Sequence, residues 1–350
     1  MALRVTEDQS IEDEQGRVLF YSADRFLRDV AEGNCCFICG AAPGSVPFND
    51  EHVVPDWILR RFRLHDKRIT LPGGSELAYG QYKVPCCQSC NNRLGEAMEK
   101  PVAALFAKGY DAVVQHMKTE GPLLIFAWLN LIFLKTHLKD RNLLINRDRR
   151  VASGAIADLY DWPELHHIHC VARTFHTGAA LDPKAAGSIF LFPAKTGSPL
   201  GDFDYADYYP GRALMLRLGD IGVACVLNDA CAALNATMES LQKFTGPLAP
   251  LQWREVLAHF SYANILLKNR PRFHTTIDRH DGLLTISGDV PSQIEMLDFV
   301  APDFGHILYS VLSSALDVVP FPEPEKTRAL IREGKWGFLL DGDGRFQEQA

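Results

Sequence analysis

The alternation of apolar and polar positions divides the chain into three stretches of different character. Residues 1–33 read as a polar lead-in with one short helix, "SADRFLRDVAEG", opened by Ser22 as its N-cap. Residues 34–100 carry only short periodic runs. There "RITL" and "ELAYGQYKV" have β-type composition, "PDWILRRF" reads as a short helix, and another helix is expected to open at Asn91. From residue 101 the apolar spacing lengthens. "PVAALFAKGYDAVVQHMK" and "GPLLIFAWLNLIFLKTHLKD" have helical length and period, with Pro101 and Pro122 suited to first-turn positions. "LHHIHCVARTF" and "GSIFLFP" read as strands, and "GRALMLRLGDIGVACVLND" as two strands joined at Gly219 and Asp220. "RFHTTIDRHDGLLTISG" reads as a hairpin turning at Asp281 and Gly282. Helices are predicted in "DACAALNATMESLQKF", "LQWREVLAHFSYANILLKN" and "FGHILYSVLSSAL", and a last hairpin in "KWGFLLDGDGRFQ". Helices and hairpins alternate without the regular beat of a parallel sheet, so the expected class is α+β. The expected organisation is a lead-in at 1–33, a small module at 34–100 and a larger mixed body at 101–350.

Composition narrows the compartment. The chain has 350 residues, 47% of them apolar and 23% charged, which matches a globular protein with an ample core. The opening "MALRVTEDQSIEDEQGR" is acidic and polar, without the basic start and apolar centre of a signal peptide. The most apolar run, "PLLIFAWLNLIFL", stops at Lys135 and is short of a bilayer span, so it reads as a buried helix. A cytoplasmic protein without membrane contact is the expectation. The net charge of −7 opposes general adhesion to nucleic acid. Two segments run against it. Glu51 to Thr70 carries Arg60, Arg61, Arg63, Lys67 and Arg68 against three acids, and Arg141 to Arg150 carries four arginines against one. A solvated helix face explains each as well as a binding face does.

The cysteines bring in chemistry. Six of the nine lie in two knots, "CCFIC" and "CCQSC", while Cys170, Cys225 and Cys231 fall in apolar segments and suit a core. In a reducing compartment paired CxxC units indicate metal or redox chemistry before disulfides. Cys36 with Cys39 and Cys87 with Cys90 keep the two-residue spacing whose turns aim both sulfurs at one point, and two such turns complete a tetrahedron around Zn²⁺. Cys35 and Cys86, the first members of each doublet, are the rival ligands. Four sulfurs saturate zinc, so such an ion has a structural role and any chemistry needs a second site. Glu51, His52 and Asn91 are the candidates for it.

At these residues the sequence resembles the HNH endonuclease superfamily, with its ββα-metal core. The resemblance rests on Cys36 and Cys39, the run "EHVVP" and the run "CQSCNN", and covers residues 34–100. It implies a metal-dependent nuclease that hydrolyses phosphodiester bonds in DNA, with RNA also open to a site that reads the backbone. By position it implies His52 as general base, and Glu51 and Asn91 as ligands of a catalytic Mg²⁺ or Mn²⁺. The sequence departs from the family's pattern at the middle Asn, where Tyr82 stands. Arg60, Arg61, Arg63 and Arg93 are candidate phosphate contacts. Glu96 and Glu99 suit a solvated helix face, with Glu96 a lesser candidate for a metal contact. Within "HHIHC", His167 and His169 would share one face of a strand, where ordinary polar alternation explains them better than a metal. Residues 101–350 match no motif and are expected to recognise target, respond to a trigger or dock a protein partner. Analogy alone suggests a bacterial defence or mobile-element setting. The competing class is a non-catalytic zinc module that binds nucleic acid or protein.

Overall fold

The computed structural model describes all residues except 1–2, 72–73, 147–149, 151–153, 279–281, 320 and 349–350. Helices take 42% and strands 21% of the described residues, the strands in small separate sheets, which makes the class α+β. The chain forms two compact units. Unit 1 takes residues 1–104, 123–182 and 273–287; unit 2 takes 105–122, 183–272 and 288–350.

In chain order, β1 (Arg4–Val5), β2 (Ile11–Glu12) and β3 (Val18–Phe20) form a three-stranded sheet. Helix α1 (Ala23–Arg25) starts where Ser22 accepts a hydrogen bond from the Arg25 amide, and runs on in wider turns to Ala31. Strand β4 (Phe48–His52) leads through Pro55 into α2 (Asp56–Arg61). Strands β5 (Arg68–Thr70) and β6 (Glu76–Ala78) form a hairpin of their own. Strand β7 (Lys83–Cys87) returns antiparallel to β4, and α3 (Gln88–Leu94) follows it directly. The helix therefore begins three residues before Asn91, because Cys87 is already extended and serves as its N-cap.

Helix α3 continues through a wide-turn stretch, Gly95–Glu99, into α4 (Lys100–Phe106). Pro101 is thus inside a continuing helix and does not start one. The Lys100 amide bonds to the Gly95 carbonyl, five residues back. Widening the helix just before a residue without an N–H accommodates the proline ring. Helix α5 (Tyr110–Thr119) starts after Gly109, whose φ of 86° only glycine adopts easily. Helix α6 (Leu123–Asp140) is apolar on all sides and buried over nearly its whole length, as such a pattern requires.

The run "HHIHC" is a helix, α7 (His166–Ala172), followed by α8 (Thr174–Thr177). The strand expected there fails because Ile168, Cys170, Val171 and Ala172, with His169, are all buried, a packing that helical geometry supplies and a two-sided strand would not. Then come β8 (Ala180–Leu181), β9 (Ile189–Pro193), β10 (Phe203–Tyr208), β11 (Ala213–Leu218), β12 (Ile221–Val226), α9 (Ala232–Leu241) and α10 (Pro250–Ile265). Strands β13 (Arg272–Ile277) and β14 (Leu284–Asp289) pair as a hairpin, and β8 pairs parallel to β14. Asp281 of its expected turn lies outside the described residues. Helices α11 (Ala301–Leu316) and α12 (Pro324–Arg332) close the series. The expected last hairpin is reduced to one isolated antiparallel bridge between Leu340 and Phe346.

Unit 2 is organised around the antiparallel sheet β10-β11-β12-β9 and helix α10. Every residue of β11 and β12 is buried, so the hairpin reads as continuously apolar apart from Arg217. Gly222 on β12 lets the Trp253 ring lie flat on the strand; a Cβ there would stand 2.0 Å from the ring. In unit 1 the cysteine-knot hairpin, α2 and α3 bury Ile58, Leu59, Val84, Leu94 and Met98, and α6 buries Trp128 and Leu131.

Candidate functional site

The two knots meet. The antiparallel register Phe48↔Cys87, Asn49↔Cys86, Glu51↔Val84 and His52↔Lys83 places Cys87 at the sheet end nearest the first knot. The sulfurs of Cys36, Cys39, Cys87 and Cys90 lie within 4.8 Å of one another, close enough to hold one metal ion. Cys39 Sγ is 3.6 Å from Cys87 Sγ. Cys86 Sγ comes to 3.8 Å from Cys36 Sγ but stands outside the group of four, and so does Cys35. The thiols perturb one another strongly. Donation from Cys39, Cys86 and Cys90 pulls Cys36 far down, and that anion, by its hydrogen bond, pushes Cys39 up to about 12. A cluster that stabilises one thiolate and penalises the next has the electrostatics of a cation site.

Helix α7 holds the first knot from behind. His169 Nε2 is 2.8 Å from the Phe37 carbonyl, His166 Nε2 is 2.7 Å from the Tyr21 carbonyl, and the Arg173 guanidinium donates to the carbonyls of Ile38 and Val18. His167 stacks on Phe273 at 3.7 Å. The histidine run thus binds backbone and ring. Phe37 and Ile38 are the two residues between Cys36 and Cys39, so α7 fixes the knuckle itself.

Alternation along β4 sends Glu51 and His52 to opposite faces. Glu51 is buried, and its Oε1 accepts from Lys135 Nζ at 2.7 Å. The same ammonium donates to the His52 carbonyl at 2.8 Å and stands 3.6 Å from Glu99. Lys135 is completely buried on α6, and its pKa is nevertheless raised: burial opposes the charge, but Glu51 and Glu99 outweigh it. Burial pushes the second carboxylate, Glu99, up to about 7. Glu99 is therefore part of this buried triad and not of a solvated helix face. A permanent cation thus occupies the place beside Glu51 where a divalent ion was expected. Asn91 is elsewhere again: its Nδ2 donates to Asn49 Oδ1 at 2.9 Å on the surface.

His52 looks the other way and is half-buried. Its pKa is lowered by burial and then by Lys83, which sits across the ladder, so the imidazole is neutral at pH 7. Asp56, the first residue of α2, and His65, from the loop after it, come to the same place. His65 Nε2 is 2.9 Å from Asp56 Oδ1, and donor atoms of His52, Asp56 and His65 lie within 4.8 Å of one another. The His52 and His65 rings are nearly perpendicular, 6.1 Å between centroids. Arg63 at φ 53° turns the chain after α2, and the Gly80 amide donates to the His65 carbonyl at 3.0 Å, which clamps the loop. Sequence reasoning does not find Asp56 and His65 as partners of His52. A carboxylate four residues after a histidine is visible there, but the return of His65 depends on the Arg63 turn.

Tyr82 is buried, and its hydroxyl donates to Asp140 Oδ1 at 2.6 Å. Its carbonyl accepts from the Val53 amide at 2.9 Å, extending the ladder just past His52. Arg60, Arg61, Arg63 and Arg93 all reach solvent. Arg60 Nε pairs with Asp56 Oδ2 at 2.7 Å, the guanidinium of Arg61 lies over the Phe62 ring, and Glu96 pairs with Lys100 on the surface. Of the Arg141 to Arg150 segment, Arg147 and Arg149 lie outside the described residues; Arg141 binds the carbonyls of Val30, Ala31 and Gly33. Among the described residues no single helix is long and apolar enough to cross a membrane. Comparison of the chain with family models, curated proteins and solved structures gives no match.

Proposed function

We propose that residues 34–100 form a zinc-stapled nuclease module of the HNH type that hydrolyses phosphodiester bonds in DNA, working in the cytoplasm. The observation that carries this reading is His52: a neutral, half-buried imidazole at the end of a strand fixed by a four-thiolate clip, with Asp56 and His65 beside it. Four thiolates suit Zn²⁺ in closed tetrahedral geometry, which leaves the zinc structural. Nothing in the clip touches substrate; it sets the position of β4 and β7.

In the reaction the His52 ring nitrogen accepts a proton from water as the water oxygen attacks phosphorus. The bond from phosphorus to the 3′ oxygen breaks, and that oxygen leaves as an alkoxide that takes a proton from solvent. A divalent cation, Mg²⁺ or Mn²⁺, held by side chains of the His52, Asp56 and His65 cluster, would supply charge stabilisation to the phosphate and the leaving oxygen. Arg60, Arg61, Arg63 and Arg93 all reach solvent and are the groups that would meet the backbone phosphates.

The test is cleavage of supercoiled, linear and single-stranded DNA and of RNA by the full chain, with and without Mg²⁺ or Mn²⁺. Metal-dependent nicking or cutting supports the reading. One observation favours a second reading: Lys135 neutralises Glu51 and removes the ligand on which the family's cation site depends. A non-catalytic module would shift nucleic acid or a protein partner in a binding assay and leave every substrate intact with either ion.

A further inference from the structure

We infer that Asp56 and His65 are the ligands of the divalent cation, and that His52 faces this ion as proton acceptor and does not ligate it. The inference rests on the nuclease reading for its use, but the site itself is argued from geometry. Glu51 cannot serve, since its carboxylate is buried against the Lys135 ammonium on the face of β4 opposite His52. On the opposite face, Asp56 Oδ1 and His65 Nε2 are 2.9 Å apart. That is close to the separation of neighbouring ligand atoms in an octahedron with bonds of about 2.1 Å. Both side chains are partly open to solvent, with 33% and 41% exposure, so the remaining positions are free for water and phosphate oxygens. Cations used in phosphoryl chemistry commonly take only one or two protein ligands and complete their shell this way. One imidazole nitrogen with one carboxylate oxygen favours Mn²⁺ over Mg²⁺, which strongly prefers oxygen.

The third donor fits the second role. His52 lies within 4.8 Å of both ligand atoms, near enough to meet a water held by the ion. Its ring is nearly perpendicular to that of His65. Two positive groups border the site, Arg60 on Asp56 Oδ2 and Lys83 across the ladder from His52. They oppose a bare cation and favour one that arrives with phosphate, so Mn²⁺ should bind more tightly when a short single-stranded oligonucleotide is present.

The experiment is a Mn²⁺ titration of the full chain with zinc in the clip, followed by paramagnetic broadening of the histidine ring protons. Zinc content and circular dichroism serve as folding controls. The expected result is early, selective broadening of His52 and His65. Asp56→Asn and His65→Gln should each need at least about tenfold more Mn²⁺, the loss that even an outer-shell partner of a ligand causes. His52→Gln should bind Mn²⁺ like the parent while losing cleavage. Uniform broadening of all histidines, or unchanged binding in folded Asp56→Asn, overturns the site. Abolished Mn²⁺ binding in folded His52→Gln makes His52 a third ligand and overturns the division of roles. If Mn²⁺ binds as expected and DNA stays intact, the site stands and the nuclease reading falls. If Asp56→Asn cuts DNA like the parent, the reverse holds.

Discussion

His52 and Lys135 sit back to back across one strand, and each makes a prediction at the scale of a side chain. Burial and then Lys83 lower the His52 pKa. A base is active when unprotonated, so cleavage should rise with pH and reach half its plateau below 6.5, the ordinary value for histidine. Lys83→Gln removes a positive neighbour and should move that half-point upward in pH; an unmoved profile would mean that His52 is not the titrating group. Lys135 is the opposite case, a buried charge whose task is to neutralise two others. Lys135→Ala leaves Glu51 and Glu99 buried without a partner and should cost about 3–5 kcal/mol in urea denaturation. Adding Glu51→Gln and Glu99→Gln to Lys135→Met should recover most of that cost, since the penalty lies in unpaired charge and not in the pair. His52 is a candidate from "EHVVP" alone, and the structure adds Asp56 and His65 beside it. The buried triad is not legible there: Lys135 lies 84 residues from Glu51 and inside a run whose apolar character says only that the helix is buried.

At the scale of elements, the hairpin β4/β7, the helix α3 and the clip form one mechanical piece, and α7 is its support. If the clip holds zinc as proposed, Cys36→Ser or Cys87→Ser should lower zinc content and loosen the module, read by metal analysis and by a weaker near-ultraviolet dichroism signal. Full zinc retention in both would remove the ligand assignment. His176 on α8 lies close to Arg173, Arg93 and Arg17, and burial first and these cations second hold its pKa down to about 4. Folded His176 therefore stays neutral where the unfolded chain would take up a proton. Its contribution is complete above pH 6.5 and is lost as pH falls from 6.5 to about 4. Discounted for local relaxation around the buried ring, this amounts to about 2 kcal/mol. His176→Phe should flatten stability over that window in denaturation curves measured at a series of pH values. The CxxC spacings are legible because a knuckle is local. The helix in "HHIHC" escapes a strand-based reading because three histidines hide an apolar stripe: at helical spacing Leu165, Ile168, His169 and Ala172 fall together, and two-residue alternation is the wrong period to apply.

At the scale of the molecule, the chain carries −7 overall, so the proposed attraction to DNA would have to come from a local face. Replacing Arg61, Arg63 and Arg93 by Gln should weaken binding to all sequences alike and reduce the salt slope by about one unit for each phosphate no longer neutralised. The α+β class is legible from the mixture of periods, and the small sheets follow it. The composition of the compact units is not, because strands such as β8 and β14 pair across a long sequence separation that no local pattern encodes. The central claim is that His52, held by the zinc clip, cleaves phosphodiesters with a divalent cation. Its direct test is nicking of supercoiled plasmid by the full chain in Mn²⁺, comparing the parent with His52→Ala at equal zinc content. The expected result is cutting by the parent and a rate lower by roughly 10²–10⁴ in the variant. Equal cutting by both proteins, or none by either, would contradict it.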